Sequence, residues 1–464
     1  MTKPFDHNDL QGNILRGYNR KFVRHLILEV SDRAAAAGFL ATSVKGGSDT
    51  VPAITPETPW TEKPESCFNI GLTYEGLRAL GLPEGQLATF PTEFVEGMTK
   101  RAPKIGDFGE SAPENWPAPF DNPARVHILA SVYADALQVL DDVQDQVAQA
   151  FNVIGVRDGR SLADGKVFFG YKDGISQPRF EEAHDPAQKF VDEPVDPLGT
   201  LLLGYRTSLD SLLFRVPTPR EDLGMNGTFN AFRVLAQDAA AFERYLDTAA
   251  RELMAHPDGE RLLPAGDEEK IGRGLNRTQA LREIVAAQMC GRWRNGVPLA
   301  LSPDTPNPDP DVSLTNFDYD LASPCPVGAH MRRANPRGGK IVQRIANHTR
   351  RLVRRGMSYG PDFDPANPDE QERGLLGNFL GANLGAQFEA VMCDWINLGL
   401  HDPTITGSND PMLGANSPET SRFDLSLKDG GSIRLRGFPR FVVARGGAYT
   451  FLPSLPAIKY LSNL

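Results

Sequence analysis

An α+β fold in two similar halves is what this sequence predicts, on three observations. Strand-like and helix-like segments alternate along the chain, the turns between them suit antiparallel neighbours, and an acidic, proline-containing stretch at 191–199 separates the two series. In the first series, residues 24–30 (RHLILEV) read as a strand, 34–44 as a helix, 67–73 (CFNIGLT) as a strand and 74–80 as a short helix. Residues 126–133 (VHILASVY) form a third strand. The helix after it places Leu140, Val143, Val147 and Phe151 at helical spacing, and 167–170 closes the half as a short strand. In the second series 228–235 is a strand. Phe242, Tyr245, Leu246, Ala249 and Leu253 then mark one helix face, and Leu281, Ile284, Val285 and Met289 mark another. A third helix is expected over 381–398. Two strands, 440–444 and 448–452, end the chain, with Gly446 and Gly447 between them as the turn signal. Residues 107–122, 256–276 and 302–323 are expected as surface loops. The domains that follow are 1–190 and 200–464.

The 464 residues include 59 acidic and 49 basic side chains, a formal net charge of -10. That balance argues against a general binder of nucleic acid or anionic membrane. Gly (44) and Pro (37) are in excess while hydrophobic residues still reach 40%, which describes an ordered, loop-rich globule. Cys67, Cys290, Cys325 and Cys393 are scattered without a CxxC pair, so a reducing compartment is the simpler reading. The first residues lack a basic segment followed by an apolar one, and no apolar run approaches the roughly 18 residues of a membrane span. A cytoplasmic location with no membrane partner is therefore expected.

One stretch departs from the average charge. Residues 321–361 contain no Asp or Glu, yet hold Arg332, Arg333, Arg337, Lys340, Arg344, Arg350, Arg351, Arg354 and Arg355. Such an island reads either as a basic face paired with carboxylates elsewhere or as a site for an anionic ligand, such as a phosphate, a nucleotide or the propionates of a porphyrin. An exposed nucleic-acid patch is disfavoured because Tyr359 is the island's only aromatic residue. His330 lies within the island. It is either a structural histidine or a ligand; the chain has no second Cys/His pair at finger or ribbon spacing, no HExxH and no phosphate-binding glycine signature. What remains for a ligand role is a single axial histidine, a common way of holding haem iron. In GYKDGISQP (170–178), Asp173 sits between glycines that permit close backbone approach, so its carboxylate could project into a cavity; the plainer reading is an Asp-Gly turn.

These segments resemble the dye-decolourising peroxidase family of haem proteins. FGYKDGISQP resembles the family's GxxDG motif with its flanks, and CPVGAHMRRANPR resembles the segment carrying the proximal histidine. LVRRGMSYGP is similar to the segment carrying the distal arginine. Further resemblance runs in order through LQGNILRGY, FNIGLTYEGLRALGL, NGTFNAFRVL, GRWRNGVPL, ERGLL followed by QFE, and RFVVARGGAYTFLPSLP, covering about Leu10 to Leu461. Ser358 and the pair Gly377-Asn378 depart from the residues common in relatives. The resemblance implies two ferredoxin-like halves, each an antiparallel sheet with helices, of the dimeric α+β barrel-like superfamily. The first half would carry the GxxDG motif, and the second the proximal histidine and the distal arginine.

The resemblance also implies haem b as cofactor, hydrogen peroxide as oxidant and a dye-like or phenolic aromatic donor, with an acidic optimum and a ferryl intermediate. A haem carrier or haem-dependent sensor is the alternative. No nucleic-acid partner is implied, and a homo-oligomer is compatible. His330 would ligate the metal, Asp173 would be the acid–base group, and Arg354 would stabilise charge as the O–O bond breaks. Gly170, Gly174 and Ile175 would border the cofactor, with Arg332 and Arg337 on its propionates. Glu389 would accept from the ligating imidazole; a salt bridge to an island arginine is its other reading. Trp293, Trp395, Tyr359 and Tyr449 are relay or core residues, and His348 is structural.

Overall fold

Eight strands close into one barrel in the computed structural model, which describes residues 6–181, 195–209, 213–320, 323–338 and 347–464. The strands are β1 (Phe22–Glu29), β2 (Ser66–Leu72), β3 (Ile128–Ala134), β4 (Asn152–Arg160), β5 (Thr228–Gln237), β6 (Val353–Tyr359), β7 (Gly374–Gly381) and, after a separate hairpin of β8 (Arg422–Ser426) and β9 (Ser432–Arg436), β10 (Val442–Leu452). Their order is β1-β3-β2-β10-β5-β7-β6-β4, all antiparallel. Taken by halves, this is β4-β1-β3-β2 joined to β10-β5-β7-β6. Each half is a four-stranded ferredoxin-like sheet in which the first and third strands are central. The two sheets meet along thin seams, Phe451 opposite Leu72 and Arg160 opposite Ser358.

Local chemistry sets the helix starts. Asp32 accepts from the N–H groups of Ala34 and Ala35 to begin helix Arg33–Val44, and Asp238 caps Ala239–Ala255. Asn276 and Gln279 form a reciprocal capping box on Arg277–Cys290, which Gly291 ends at φ 91°. Close sheet packing is allowed by glycine at Gly374, where a Cβ would lie 1.9 Å from the Leu235 carbonyl oxygen.

Several expectations change. Residues 167–170 form a turn, closed by the Gly170 N–H on the Val167 carbonyl, and the strand of that region is β4, whose half-exposed NVIGVRDGR shows no clean alternation. The two terminal strands are one: β10 passes Gly446 with a bulge and pairs with β5 along its whole length. The helix expected over 381–398 starts later, as wide π-type turns at Leu384–Glu389 and Val391–Asn397, because Gly381 still belongs to β7. The stretch 107–122 is no surface loop, since Asp107, Trp116 and Phe120 are buried and Phe120 rests on Phe232. Residues 256–276 include two short helices, Gly259–Leu262 and Glu268–Ile271. Of the expected boundary, 191–194 lies outside the described residues, as do Leu321, Lys340 and Arg344 of the island. All four cysteines are unpaired, and no helix among the described residues is long and apolar enough to cross a membrane.

Asp107 forms a doubly hydrogen-bonded ion pair with Arg233 of β5, both side chains 3% exposed, and so ties a first-half loop to a second-half strand. Replacing Asp107 by Ala strands a buried guanidinium and should cost about 3–5 kcal/mol in a denaturant titration.

Candidate functional site

Alternation along β5 sends Phe232 to one face, against His25 of β1, and Arg233, Leu235 and Gln237 to the other. On that second face lies a cavity of about 310 Å³, bounded further by Leu375 and Phe379 of β7, the turns after Gly381, and the segment 167–178 from the first half. His330, Asp173, Ile175 and Arg354 all line it.

His330 opens the short helix His330–Ala334. Its Nδ1 lies 3.0 Å from Oδ2 of Asp410, a fully buried carboxylate whose Oδ1 accepts from the backbone N–H groups of Met412 and Leu413. Burial disfavours the charged imidazole, but the Asp410 charge and hydrogen bond outweigh it, and the His330 pKa stands above the ordinary 6.5. Burial pushes Asp410 up while His330 and Arg333 pull it down, and the net position is below the usual carboxylate value. With Nδ1 engaged, Nε2 is the ring nitrogen left without a hydrogen-bond partner among the described residues.

Asp173 is held from both sides of its loop. Its N–H donates to the Gly165 carbonyl, and Lys172 donates to Arg294. Gly170, at φ 83°, leaves room for Arg294 to reach the Phe169 carbonyl, because a Cβ there would fall 2.3 Å from the guanidinium. Gly174 takes φ 71° and turns the chain after Asp173. Arg354 reaches Asp173 Oδ1 at 3.3 Å and the Ser176 carbonyl at 3.1 Å, while its backbone N–H and carbonyl both bond to the Gln177 amide at 3.0 Å. The Asp173 side chain is 42% exposed because it faces open cavity. Burial raises its pKa, but Arg354, the Gly174 N–H and the His330 charge together carry it below the ordinary 3.8.

One expected contact is corrected, and two expected residues stand outside the cavity lining. Glu389 does not meet His330: its fully buried carboxylate is gripped by Arg101 and accepts from the Tyr449 hydroxyl, because the turns after Gly381 aim it toward helix Thr92–Arg101. Its ion-pair partner is thus not an island arginine either. Arg332 bonds the Cys325 carbonyl and lies over Tyr319, away from the cavity. Arg337 bonds the Thr315 and Phe317 carbonyls and stacks on Phe317 at 3.9 Å. The island cations that do line the cavity, besides Arg354, are Arg350, paired with Asp394 at 2.9 Å, and Arg351, paired with Asp196 at 2.9 Å. His348 meets the same Asp196. Asp410, Asp196 and Gln177 were not singled out by sequence. Asp410 is 80 positions from His330, and no local pattern connects them.

The donor set suits a flat, largely apolar, anionic group with one axial protein ligand: one imidazole nitrogen, apolar walls that include Leu352, Phe379, Phe388 and Met412, and cations at Arg350 and Arg351. Among the described residues, no group of three or more His, Cys, Asp or Glu stands together as a multidentate metal site. The chain is 26% identical over 480 residues to a dye-decolorizing peroxidase of Exidia glandulosa, covering 97% of this chain and 86% of that protein. It is also 26% identical over 476 residues to a multifunctional dye peroxidase of Amycolatopsis, covering 98% and 95%. A solved dye-decolorizing peroxidase in complex with cyanide superimposes with a TM-score of 0.80 at 26% identity over 100% of both chains. The chain is similar along almost its whole length to dye-decolourising peroxidases. A structure of such a peroxidase with 2,6-dimethoxyphenol gives a TM-score of 0.79 at 25% identity, over 99% of this chain and 100% of that one. No family model matches the chain. Like these relatives, it carries the α+β, ferredoxin-like fold along its whole length.

In the cofactor-free protein, Asp410→Asn removes the main charge that raises His330 and leaves burial and the Arg354 charge opposed only by the more weakly acting Asp173. The imidazole should then titrate below 6.5 instead of above it, read by NMR of the His330 ring.

Proposed function

We propose that this protein is a haem b peroxidase that reduces hydrogen peroxide to water and oxidises dyes, phenols or other aromatic donors. The observation that carries this reading is that one cavity collects an imidazole braced by a buried carboxylate and, from the other half of the chain, a carboxylate–guanidinium pair. His330 Nε2 would hold the iron, with Asp410 fixing the ring orientation and raising its basicity. Arg350 and Arg351 would meet the propionates. Bound there, haem would supply the redox centre at which the peroxide O–O bond is cleaved.

The chain's own groups then handle the protons. Peroxide must lose a proton from the oxygen that binds and gain one on the oxygen that leaves as water, and Asp173 can perform both transfers if it starts ionised. Arg354 keeps it so, and its guanidinium stabilises negative charge on the departing oxygen. A base with a depressed pKa stays ionised above that value and is lost only as pH falls through it, which supports activity in weak acid.

His330→Ala should abolish or strongly weaken haem uptake, seen as loss of the Soret band on reconstitution. Asp173→Asn should retain the cofactor and slow peroxide activation by about 10²–10⁴-fold. Arg354→Leu should cost about 10²–10³-fold in the same step. Without the arginine, Asp173 loses its main stabilising charge, so the acid limb of the kcat/KM profile for peroxide should move to higher pH. Wild-type kinetics in both distal variants would remove them from the mechanism.

A further inference from the structure

Asp173 rides on a loop whose downstream end is tied to β6, where Gln177 bonds the backbone of Arg354 and the Ser176 carbonyl accepts from its side chain. A loop anchored at that end alone would let its carboxylate swing away from a 3.3 Å contact. The upstream end meets a tight turn in the segment GRWRNGVPL, residues 291–299. That turn is braced within itself. The Gly296 N–H donates to the Trp293 carbonyl at 2.8 Å, the Trp293 N–H donates to the Val297 carbonyl at 2.9 Å, and Arg292 bonds the carbonyls of Gly296 and Leu314, both at 2.8 Å.

The loop lies directly on this turn. The Lys172 N–H, one position before Asp173, donates to the Arg294 carbonyl at 2.9 Å, and the Arg294 guanidinium donates to the Phe169 carbonyl at 2.6 Å. Gly296, at φ 97°, admits the Ile175 side chain, since a Cβ there would lie 2.4 Å from Ile175 Cδ1. Arg294 therefore grips the approach to Asp173 with backbone and side chain together. The guanidinium is itself held: Nη2 donates to Glu243 Oε1 at 3.1 Å, and Nε lies 3.2 Å from Glu283 Oε2, so helices Ala239–Ala255 and Arg277–Cys290 both fix it. It also stands over the rings of Tyr171 and Phe242. A planar fork meets these partners at fixed angles, which a flexible ammonium does not. The charges acting most strongly on Asp173 are those of Arg354 and His330, and Arg160 and Lys166 border a smaller cavity on its other side. Arg294 reaches Asp173 through the loop.

We propose that Arg294 is a positioning residue for the peroxide chemistry: together with the turn 292–297 it fixes the upstream end of the loop and so holds the Asp173 carboxylate against Arg354. The proposal rests on the haem-peroxidase reading above. Gln177 and Arg294 are then the two ends of one clamp, the first set on β6 and the second on the pair of helices outside the sheet.

The test follows the Asp173 carboxyl by carbon-13 NMR in the cofactor-free protein and, in parallel, the pH dependence of kcat/KM for hydrogen peroxide in the haem-loaded protein. In Arg294→Met the Asp173 pKa should rise by about 1 pH unit, because the carboxylate leaves the guanidinium of Arg354 without gaining full hydration. The acid limb of kcat/KM should move up with it, since a base with a higher pKa is lost earlier as pH falls. Loss of packing alone would not move the two titrations together. A cycle with Arg354→Leu separates positioning from a direct effect of the Arg294 charge: with Arg354 removed, Arg294→Met should raise the Asp173 pKa by less than about half as much as it does in the wild-type background. Should Arg294→Met fold poorly, Arg294→Lys keeps a charge for Glu243 and Glu283 without the fork, and the same rise and the same non-additivity are expected. An unchanged Asp173 pKa, full additivity with Arg354→Leu, or a rise seen by NMR with no movement of the acid limb overturns the proposal and leaves the peroxidase reading standing. Absence of any optical change when peroxide is added to the wild-type haem-loaded protein overturns the peroxidase reading itself, and the proposal with it.

Discussion

The site depends on a gap in the barrel. β4 and β6 pair only at Arg160 and Ser358, so the edge of β6 nearer its start has no strand beside it. A buried strand edge must find partners for its backbone groups. At Arg354 the partner is the side-chain amide of Gln177, which accepts from the N–H and donates to the carbonyl as a neighbouring strand would. The loop that ends at Gln177 begins at Gly170, and docking it there delivers Asp173 to within 3.3 Å of the Arg354 guanidinium. One satisfied backbone edge therefore aligns two charged groups that are 181 positions apart.

Charge accounts for the rest of the cavity. The basic island looks like an excess within an acidic chain, but folding gives most of its described cations a partner. Arg350 finds Asp394, Arg351 and His348 share Asp196, and Arg333 is surrounded by carbonyl oxygens and Ser408. The paired-face reading thus holds for Arg350 and Arg351, and both also line the cavity. Arg332 and Arg337 bond backbone carbonyls and lie over the faces of Tyr319 and Phe317, and neither is among the residues that line the cavity.

What was legible in the sequence follows from how local each signal is. Residues 24–30 and 126–133 announce strands because their apolar runs are nearly uninterrupted, and both fall within a residue or two of β1 and β3. β6 and β7 were not anticipated, since VRRGMSY and GLLGNFLG carry arginines and glycines that only the assembled sheet explains: the glycines admit close neighbours and the arginines serve the two faces. Gly446 and Gly447 read as a turn, whereas in the barrel they form a bulge with β5 continuous alongside. His330 and Asp173 stand out in unusual segments, whereas Arg354 is separated from the other basic residues of its island only by the family resemblance. Asp410 could not be picked out, because its only mark is a contact across 80 residues.

That contact explains why Glu389 was the wrong candidate. A buried carboxylate requires a donor, and from helical spacing alone a ligating imidazole was a reasonable one. The fold supplies two such carboxylates on different sides of the cavity wall and gives them different donors. Asp410 takes the imidazole, and two backbone N–H groups support it, so its charge stays low in pKa and fixed in place. Glu389 takes a phenol and an arginine that continues to the half-exposed Glu96. The first arrangement resists protonation and suits a structural brace. The second ties the turns after Gly381 to helix Thr92–Arg101 and to β10, so it fixes the wall of the cavity rather than the imidazole.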